Sequence, residues 1–167
     1  MNPPTPKSTL PPFRPTVAGC VGKDPRLSAM LKECCASALY AFSAHTYRSL
    51  LCETASPAHA ELFEALAAES AEQLRAFARL NLAVGGAPSL HCQLRVHPRP
   101  VPPKEQGEHC RAALPLCREA IGDTKALIDI CQTVMGRTQD RVVRSFLSAV
   151  LSELQRQVER LAHAANE

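Results

Sequence analysis

The 167-residue chain contains no tryptophan, and aromatic residues make up only 4% of it. Alanine and leucine are abundant instead, which favours helices over strands. No apolar run approaches the roughly 18 residues that a membrane-spanning helix needs. The opening segment, MNPPTPKSTLPPF, lacks the apolar stretch of a secretory signal, so we expect a cytoplasmic protein.

A strong charge of either sign is also missing. The chain has 19 Lys and Arg against 16 Asp and Glu, a net charge of +3, and these residues are scattered along the sequence. Nucleic-acid-binding domains concentrate basic residues on one face. We therefore expect no nucleic-acid partner and no membrane association, and we expect a homodimer or another protein partner.

Cysteine is frequent, with eight residues, yet no C-x-x-C pair occurs. That spacing is typical of zinc ribbons and of thioredoxin-like redox sites. In a reducing cytosol the cysteines are expected to be thiols and not a disulfide framework.

Proline marks the N-terminal part of the chain. Six prolines before residue 16 predict a disordered arm over residues 1–23. Asp24 and Pro25 then form a helix start, a capping residue followed by proline at the first helical position. The first helix is predicted to run to about Glu53, and its apolar residues cover most of its faces, which predicts a buried position. The folded domain is predicted over residues 24–167.

A second capping residue and proline, Ser56 and Pro57, predict the start of the second helix. Gly85-Gly86 ends it. Its predicted inner stripe consists of Leu62, Leu66, Ser70, Gln73, Phe77, Leu80 and Val84.

The region after the second helix, residues 87–107, holds five prolines and predicts a long crossover connection. A third helix is predicted between Glu105 and Met135, and Pro115 either starts or kinks it. Asp140 is the predicted cap of the fourth helix. The inner stripe of that helix is predicted to be Val143, Leu147, Val150, Leu154, Gln157 and Leu161.

Two helical hairpins joined by a long crossover are the connectivity of ferritin-like four-helix bundles, so the predicted fold class is all-α. A weak internal repeat agrees with this layout. Glu69 and Gln73 in the second helix correspond to Glu153 and Gln157 in the fourth, each pair having the same spacing.

Three stretches carry a family resemblance: LKECCASALYAFSAHTYRSLL, ALAAESAEQLRAFARLNLAVGGAP and RVVRSFLSAVLSELQRQVERLA. Together with the Gly-Gly-x-Pro end of the second helix, they resemble bacterial ferritin-like proteins related to rubrerythrin, bacterioferritin and manganese catalase. The resemblance covers roughly residues 25–165. It implies two iron or manganese ions in the bundle core, held by a Glu from the first and third helices and a Glu-x-x-His from the second and fourth.

The residues at the implied ligand positions do not match that pattern. No Glu-x-x-His occurs anywhere in the chain. The sequence therefore predicts a bundle whose dimetal site has been lost. The six vestigial positions are Ala38 in the first helix, Ser70 and Gln73 in the second, Cys117 in the third, and Leu154 and Gln157 in the fourth.

Two buried glutamines remain on the inner stripes, Gln73 and Gln157. Buried amides need partners, so we predict that these two side chains hydrogen-bond to each other across the core. Glutamates flank the same stripes and are predicted to be solvated or paired with Arg75 and Arg156; they are Glu69, Glu72 and Glu153.

The cysteines offer a different site. Thiolates and an imidazole suit a soft ion such as Cu(I) or Zn(II), and two inward stripes supply both. The alternative is that these cysteines are small apolar residues that fill the core. The candidate ligands are Cys34, His45 and Cys52 in the first helix, and Cys110, Cys117 and Cys131 around the third.

Three functions therefore stay open. The residues favour a non-catalytic structural or interaction protein without a cofactor. The alternative is a soft-metal or thiol-based binding protein that uses the core cysteines. An oxidoreductase with two iron or manganese ions is the activity the resemblance implies, and the missing ligands argue against it.

Overall fold

The computed structural model describes residues 23–87 and 113–166, and the secondary structure in both ranges is helical, with no strand. The all-α class predicted from the sequence is confirmed for these ranges. The N-terminal arm and the crossover lie outside them, apart from Lys23 and Ala87. None of the helices in the two ranges has the length and apolar character of a membrane span. The four helices are α1 (Pro25–Cys52), α2 (Pro57–Ala83), α3 (Ala113–Arg137) and α4 (Arg141–Ala164).

Side-chain caps begin two of the helices. Asp24 accepts hydrogen bonds from the backbone N–H groups two and three residues on, at 2.9 and 3.0 Å. Asp140 does the same for α4, at 2.8 and 3.1 Å. Ser56 stands at the predicted cap position of α2 but makes no capping bond, because its hydroxyl lies 2.6 Å from Nδ1 of His59. Proline alone therefore favours the start of α2.

The end of α2 depends on its two glycines. Gly85 has a φ of 82°, a left-handed conformation that side chains disfavour. Gly86 lies against a buried hydrogen bond in which the Ser28 hydroxyl donates to Oδ1 of Asn81 at 2.8 Å. A Cβ atom at Gly86 would lie 2.2 Å from that Asn81 oxygen. The Gly-Gly end thus fixes α2 against the start of α1.

Helices α1 and α2 form an antiparallel hairpin. The Asp24 N–H donates to the Val84 carbonyl at 3.2 Å, at the end of the bundle where α1 begins and α2 finishes. At the opposite end the Ser49 hydroxyl donates to the Ala60 carbonyl at 3.0 Å.

Helices α3 and α4 form a second hairpin, which packs on the first through α1 with α3 and α2 with α4. Cys117, near the start of α3, packs with Cys52 at the end of α1. Val134, near the end of α3, packs in the same cluster as Val84. Helix α2 therefore ends and helix α3 begins at opposite ends of the bundle.

Helix α1 has one buried face and one exposed face. Its buried residues recur every three or four positions, the period of a helix packed along its length against neighbours. The opposite face exposes Tyr40, Tyr47 and Leu50, at 41, 63 and 58%. The expectation that α1 is buried on most sides was wrong. Its buried residues are Leu27, Ser28, Leu31, Cys34, Ala38, Ala41, His45, Arg48 and Cys52.

The core consists of two apolar clusters with polar side chains between them. The larger cluster lies at the end where α1 begins and the smaller one at the end where α1 finishes. On each helix, buried polar residues interrupt the apolar stripe between the two clusters. We call this group the polar layer. It consists of His45 and Arg48 in α1, Ser70 and Gln73 in α2, Thr124 in α3 and Gln157 in α4.

Candidate functional site

The polar layer contains half of the six positions that the sequence predicted to be remnants of a dimetal site. Ser70, Gln73 and Gln157 belong to it. Ala38 and Leu154 lie in the larger apolar cluster, at its border with the layer. Cys117 lies in the smaller cluster, two helical turns before Thr124. The structure therefore does not bring the six positions together at one level of the bundle.

Gln73 is the most isolated polar group of the layer. Its side chain is fully buried, and among the described residues neither its Nε2 nor its Oε1 has a hydrogen-bond partner. Gln157 donates from Nε2 to Oε2 of Glu69 at 2.9 Å. The predicted hydrogen bond between Gln73 and Gln157 was therefore wrong: one amide is bound to a carboxylate, and the other has no protein partner.

Glu69 links α2 to α4. One carboxylate oxygen accepts from Gln157, and the other accepts from Nη1 of Arg160 at 2.6 Å. The Glu69 side chain is only 12% exposed, so it is a part-buried carboxylate whose two oxygens are both engaged, and not a solvated one. This pairing neutralises the charge of Glu69 and uses both of its oxygens.

The other two flanking glutamates pair within their own helices. Glu72 forms an ion pair with Arg75, and Glu153 forms one with Arg156, as the sequence predicted. Glu153 is nevertheless buried, with 10% of its side chain exposed, whereas Glu72 is 44% exposed.

Arg48 supplies a buried positive charge at the side of the polar layer nearer the smaller cluster. Its Nη2 donates to Oδ2 of Asp123 on α3 at 2.6 Å, and Glu119 lies at 4.0 Å. Its other terminal nitrogen, Nη1, is buried without a hydrogen-bond partner among the described residues. The Nη1 group of Arg48 is thus a hydrogen-bond donor that neither Asp123 nor Glu119 accepts from.

His45 lies one turn before Arg48 on the same face of α1. Its ring stacks on Phe63 of α2, with centroids 6.1 Å apart, and its Nδ1 has no partner in the described part of the chain. Burial lowers the pKa of His45, and the nearby Arg48 charge acts in the same direction, so that together they bring it to about 4. The imidazole is therefore neutral at physiological pH.

The described core cysteines form two pairs, each joining α1 to α3. Cys34 and Cys131 are both fully buried in the larger cluster. A hydrogen bond between the two thiols raises the pKa of Cys34, and burial raises it further. The charges of the neighbouring cysteines and of Glu33 also raise the pKa of Cys34.

The second pair, Cys52 and Cys117, lies in the smaller cluster and is equally buried. Burial raises the pKa of both thiols. For Cys117 the neighbouring Cys52 adds to the rise, whereas the Arg48 guanidinium opposes it. The two pairs therefore differ in two ways: a hydrogen bond between the thiols acts within the first pair, and the Arg48 charge acts on the second.

The predicted soft-metal ligands that the structure describes are not grouped in one site. His45 lies between the two thiol pairs along α1, and Cys110 lies outside the described residues. Within residues 23–87 and 113–166, no three His, Cys, Asp or Glu side chains are grouped as a metal site. Within the described residues, at most two thiols are available to one ion.

Sequence reasoning missed Arg48, Asp123 and Thr124. Arg48 was detectable, because it lies at the next position of the stripe that contains Cys34, Ala38, His45 and Cys52. A charged residue on an inward stripe needs a partner, but the sequence does not say which helix supplies it.

Comparison with known proteins gives no match: no protein-family model, no curated protein and no solved structure matches the chain.

Proposed function

We propose that the chain is a ferritin-like bundle that has lost its dimetal site and acts as a non-catalytic structural or interaction protein. The polar layer is the observation that carries this proposal. It interrupts the apolar core partway along the bundle with amide, hydroxyl, imidazole and guanidinium groups, and the two carboxylates beside it, Glu69 and Glu153, are each paired with an arginine. Such a layer is expected where metal ligands have been replaced by other residues inside an otherwise apolar core.

The helix order supports the ferritin-like part of the proposal. Helix α2 ends beside Asp24, whereas α3 begins beside Cys52 at the other end of the bundle. Residues 88–112 connect these two ends. A ferritin-like bundle has one such long connection between its two hairpins.

The state of Glu69 supports the loss of the metal site. A carboxylate that binds iron or manganese needs oxygens free to coordinate the ion. Both Glu69 oxygens instead accept hydrogen bonds, from Gln157 and Arg160. Arg160 also brings a positive charge to the place where the family would hold two cations, which disfavours metal binding.

Metal analysis of the purified, reduced protein tests this proposal. We expect iron and manganese to be far below one ion per chain after growth in medium supplemented with both. A stoichiometric amount of either metal would overturn the proposal.

Restoring the ligands tests the proposed register. The variant S70E/Q73H/L154E/Q157H recreates two Glu-x-x-His pairs on the inner stripes, and we expect it to bind Co(II), a spectroscopic substitute for iron. The control shifts the α2 pair by one residue, A71E/L74H, and is expected to bind none. Equal binding by both variants would contradict the proposed positions.

The interaction role is assigned to the exposed face of α1, with a second copy of the chain as the partner. Tyr40, Tyr47 and Leu50 lie opposite the buried stripe. Together they expose on the order of 300–400 Å² of side chain, the size of patch that is often functional in a monomer. Two α1 helices crossing antiparallel near residue 45 would place Tyr40 against Leu50 and Tyr47 against Ser43 of the second copy, large against small.

Analytical ultracentrifugation checks the dimer. The unmodified chain is expected to sediment as a dimer at micromolar concentration, and Tyr47→Glu is expected to make it monomeric. The control is Gln155→Glu, on an exposed position of α4. A monomeric unmodified chain, or a Tyr47→Glu variant that stays dimeric, would refute this interface.

The second candidate function is thiol-based metal binding. Two buried pairs of cysteines, Cys34 with Cys131 and Cys52 with Cys117, favour it. In the described ranges each pair offers two thiols, and no third His, Cys, Asp or Glu is grouped with either pair. A cytoplasmic location, with its reducing conditions, would keep all four thiols available.

A further inference from the structure

We infer that the two ends of the bundle are complementary docking surfaces, through which copies of this chain associate head to tail. One end is basic and the other is acidic, although the charged residues are scattered along the sequence and the net charge of the whole chain is only +3. This inference goes beyond the proposed function. It uses neither the exposed face of α1 nor the loss of the dimetal site.

The basic end is the end where α1 and α4 begin and where α2 and α3 finish. Six exposed Lys and Arg side chains lie within about two turns of it. None of the six forms an ion pair within residues 23–87 and 113–166. The six are Lys23, Arg26, Arg79, Arg137, Arg141 and Arg144.

Contacts between helices bring these cations to the same end. The Lys23 side chain lies over Gly85, where an added Cβ atom would be 3.0 Å from Cγ of Lys23. Nη1 of Arg137 lies 3.9 Å from the sulfur of Met30, which places the end of α3 beside the first turns of α1. Nη1 of Arg144 donates to a backbone carbonyl in the last turn of α3 at 2.9 Å. The cations of all four helices therefore face one partner.

The two carboxylates at this end, Asp24 and Asp140, do not neutralise it. Each accepts hydrogen bonds from two backbone N–H groups at the start of its own helix. Their negative charges therefore lie at the positive ends of the α1 and α4 dipoles. Six positive side chains against two negative ones leave an excess of four positive charges.

The opposite end of the bundle carries the opposite charge. Four exposed glutamates lie within about two turns of it and form no ion pair in the described part of the chain. A fifth exposed glutamate, Glu119, lies 4.0 Å from Arg48, and one exposed cation, Arg118, lies beside it in α3. The four are Glu53, Glu61, Glu64 and Glu159.

Two further arginines near the acidic end are already paired with carboxylates. Arg48 donates to Asp123, and Arg160 donates to Glu69, both at 2.6 Å. Neither pair adds net charge to this end. The exposed glutamates therefore outnumber the unpaired cations, and the acidic end is the counterpart of the basic one.

A second copy of the chain is the partner that this charge pattern fits. Every copy presents both surfaces, so a basic end can meet an acidic end, whereas two like ends repel each other. Arginine binds carboxylates through paired N–H groups, and five of the six basic residues are arginines. A contact between two different surfaces does not close on itself, so it produces chains longer than a dimer. The end of a bundle is small, and we expect the association to be weak and screened by salt.

Sedimentation velocity at two ionic strengths tests the inference, with Tyr47→Glu as the parent so that the proposed α1 contact is absent. At about 10 mM salt, where charges interact over roughly 30 Å, we expect species larger than dimers that grow with protein concentration. At about 300 mM salt we expect monomers, with the association constant lower by about tenfold or more.

Two charge-reversal variants of this parent each disable one end. R26E/R141E places two acids in the first turns of α1 and α4, and E53K/E159K places two cations near the ends of the same helices. The helix dipole favours both sets of charges, so both variants should fold, which circular dichroism checks. Each alone should be monomeric at low salt. An equimolar mixture should form a dimer of one copy of each and nothing larger, because only one contact remains possible.

Lys125→Glu is the control, since it reverses an exposed charge in the middle of α3 and should associate like its parent. The inference is overturned if salt does not change the sedimentation of the parent, if either reversal variant associates as its parent does, or if the mixture stays monomeric. A parent that stays monomeric at low salt and binds a DNA duplex would also overturn it, because the basic end would then take a nucleic acid. None of these outcomes bears on the α1 contact, which every protein in this test lacks.

Discussion

Gln73 gives the sharpest test of the polar layer, because its replacement should stabilise the protein. Methionine has nearly the shape of glutamine and carries no amide. An unpaired buried amide costs about 1–3 kcal/mol, so Gln73→Met should raise the free energy of unfolding by a similar amount. For a chain of this length, that corresponds to a rise in Tm of roughly 3–9 °C.

Gln157→Met is the matched control. Its amide donates to the part-buried Glu69 carboxylate at 2.9 Å, so the same substitution removes a partner that Glu69 needs. We expect a loss of about 1–3 kcal/mol, opposite in sign to the effect at Gln73. The two buried glutamines thus predict opposite outcomes for one chemical change.

Urea denaturation followed by circular dichroism at 222 nm measures both variants. The midpoint and the slope are compared with those of the unmodified chain, so that a change in stability is separated from a change in compactness. Gln73→Met destabilised by 1 kcal/mol or more would refute the reasoning. That result would mean that the amide has partners, such as buried waters, in the folded protein.

Three further predictions concern other buried groups. His45 has a pKa of about 4 in the folded chain and about 6.5 in the unfolded chain, so as the pH falls the unfolded state binds a proton first. The contribution of neutral His45 to the free energy of unfolding is therefore complete above pH 6.5 and decreases as the pH falls towards 4. Urea midpoints at pH 8 and pH 5 should show a loss of about 2 kcal/mol that His45→Leu lacks, and an equal loss in that variant would contradict the assignment. Gly86→Ala should destabilise the protein by more than about 1 kcal/mol, because the new Cβ would collide with a buried hydrogen bond. Gly122 has open space around it, so Gly122→Ala should stabilise α3 by about 0.5–1 kcal/mol. Thermal melting that ranks the two variants in the reverse order would refute this. Asp123→Ala should cost about 2–3 kcal/mol, because it leaves the buried Arg48 without its carboxylate. In urea denaturation, the double variant with Arg48→Met should recover most of that loss. A double variant no more stable than Asp123→Ala would argue against an unpaired charge.

The helices were predictable because their signals are local. Caps, prolines and the period of apolar residues act within a few positions, so the starts at Asp24 and Asp140 and the inner stripe of α4 followed from the sequence. Leu62 is the exception on α2, since it lies on the predicted stripe but is only partly buried.

The contacts of the site were not predictable in the same way. Glu69 binds Gln157 and Arg160 from another helix, and Arg48 binds Asp123, which is 75 residues away. Such pairs depend on which helices become neighbours and on their relative height. A single stripe shows that a polar residue points inward, and it does not show which residue it meets.

The division of the cysteines shows the same limit. One inward stripe carries Cys34 and Cys52, and another carries Cys117 and Cys131. Because α1 and α3 run in opposite directions, the first cysteine of one stripe meets the last of the other. Sequence spacing suggested one group of thiols, and antiparallel packing separates them into two pairs.

The exposed face of α1 also determines which events change the tyrosine fluorescence and absorbance of this protein. Tyr40 and Tyr47 are the only tyrosines, and the chain has no tryptophan. Both phenol rings lie outside the core, so intrinsic fluorescence and near-ultraviolet absorbance should change little when the core unfolds. The same signals should change when the α1 face is covered, which makes the unlabelled protein its own optical probe of self-association.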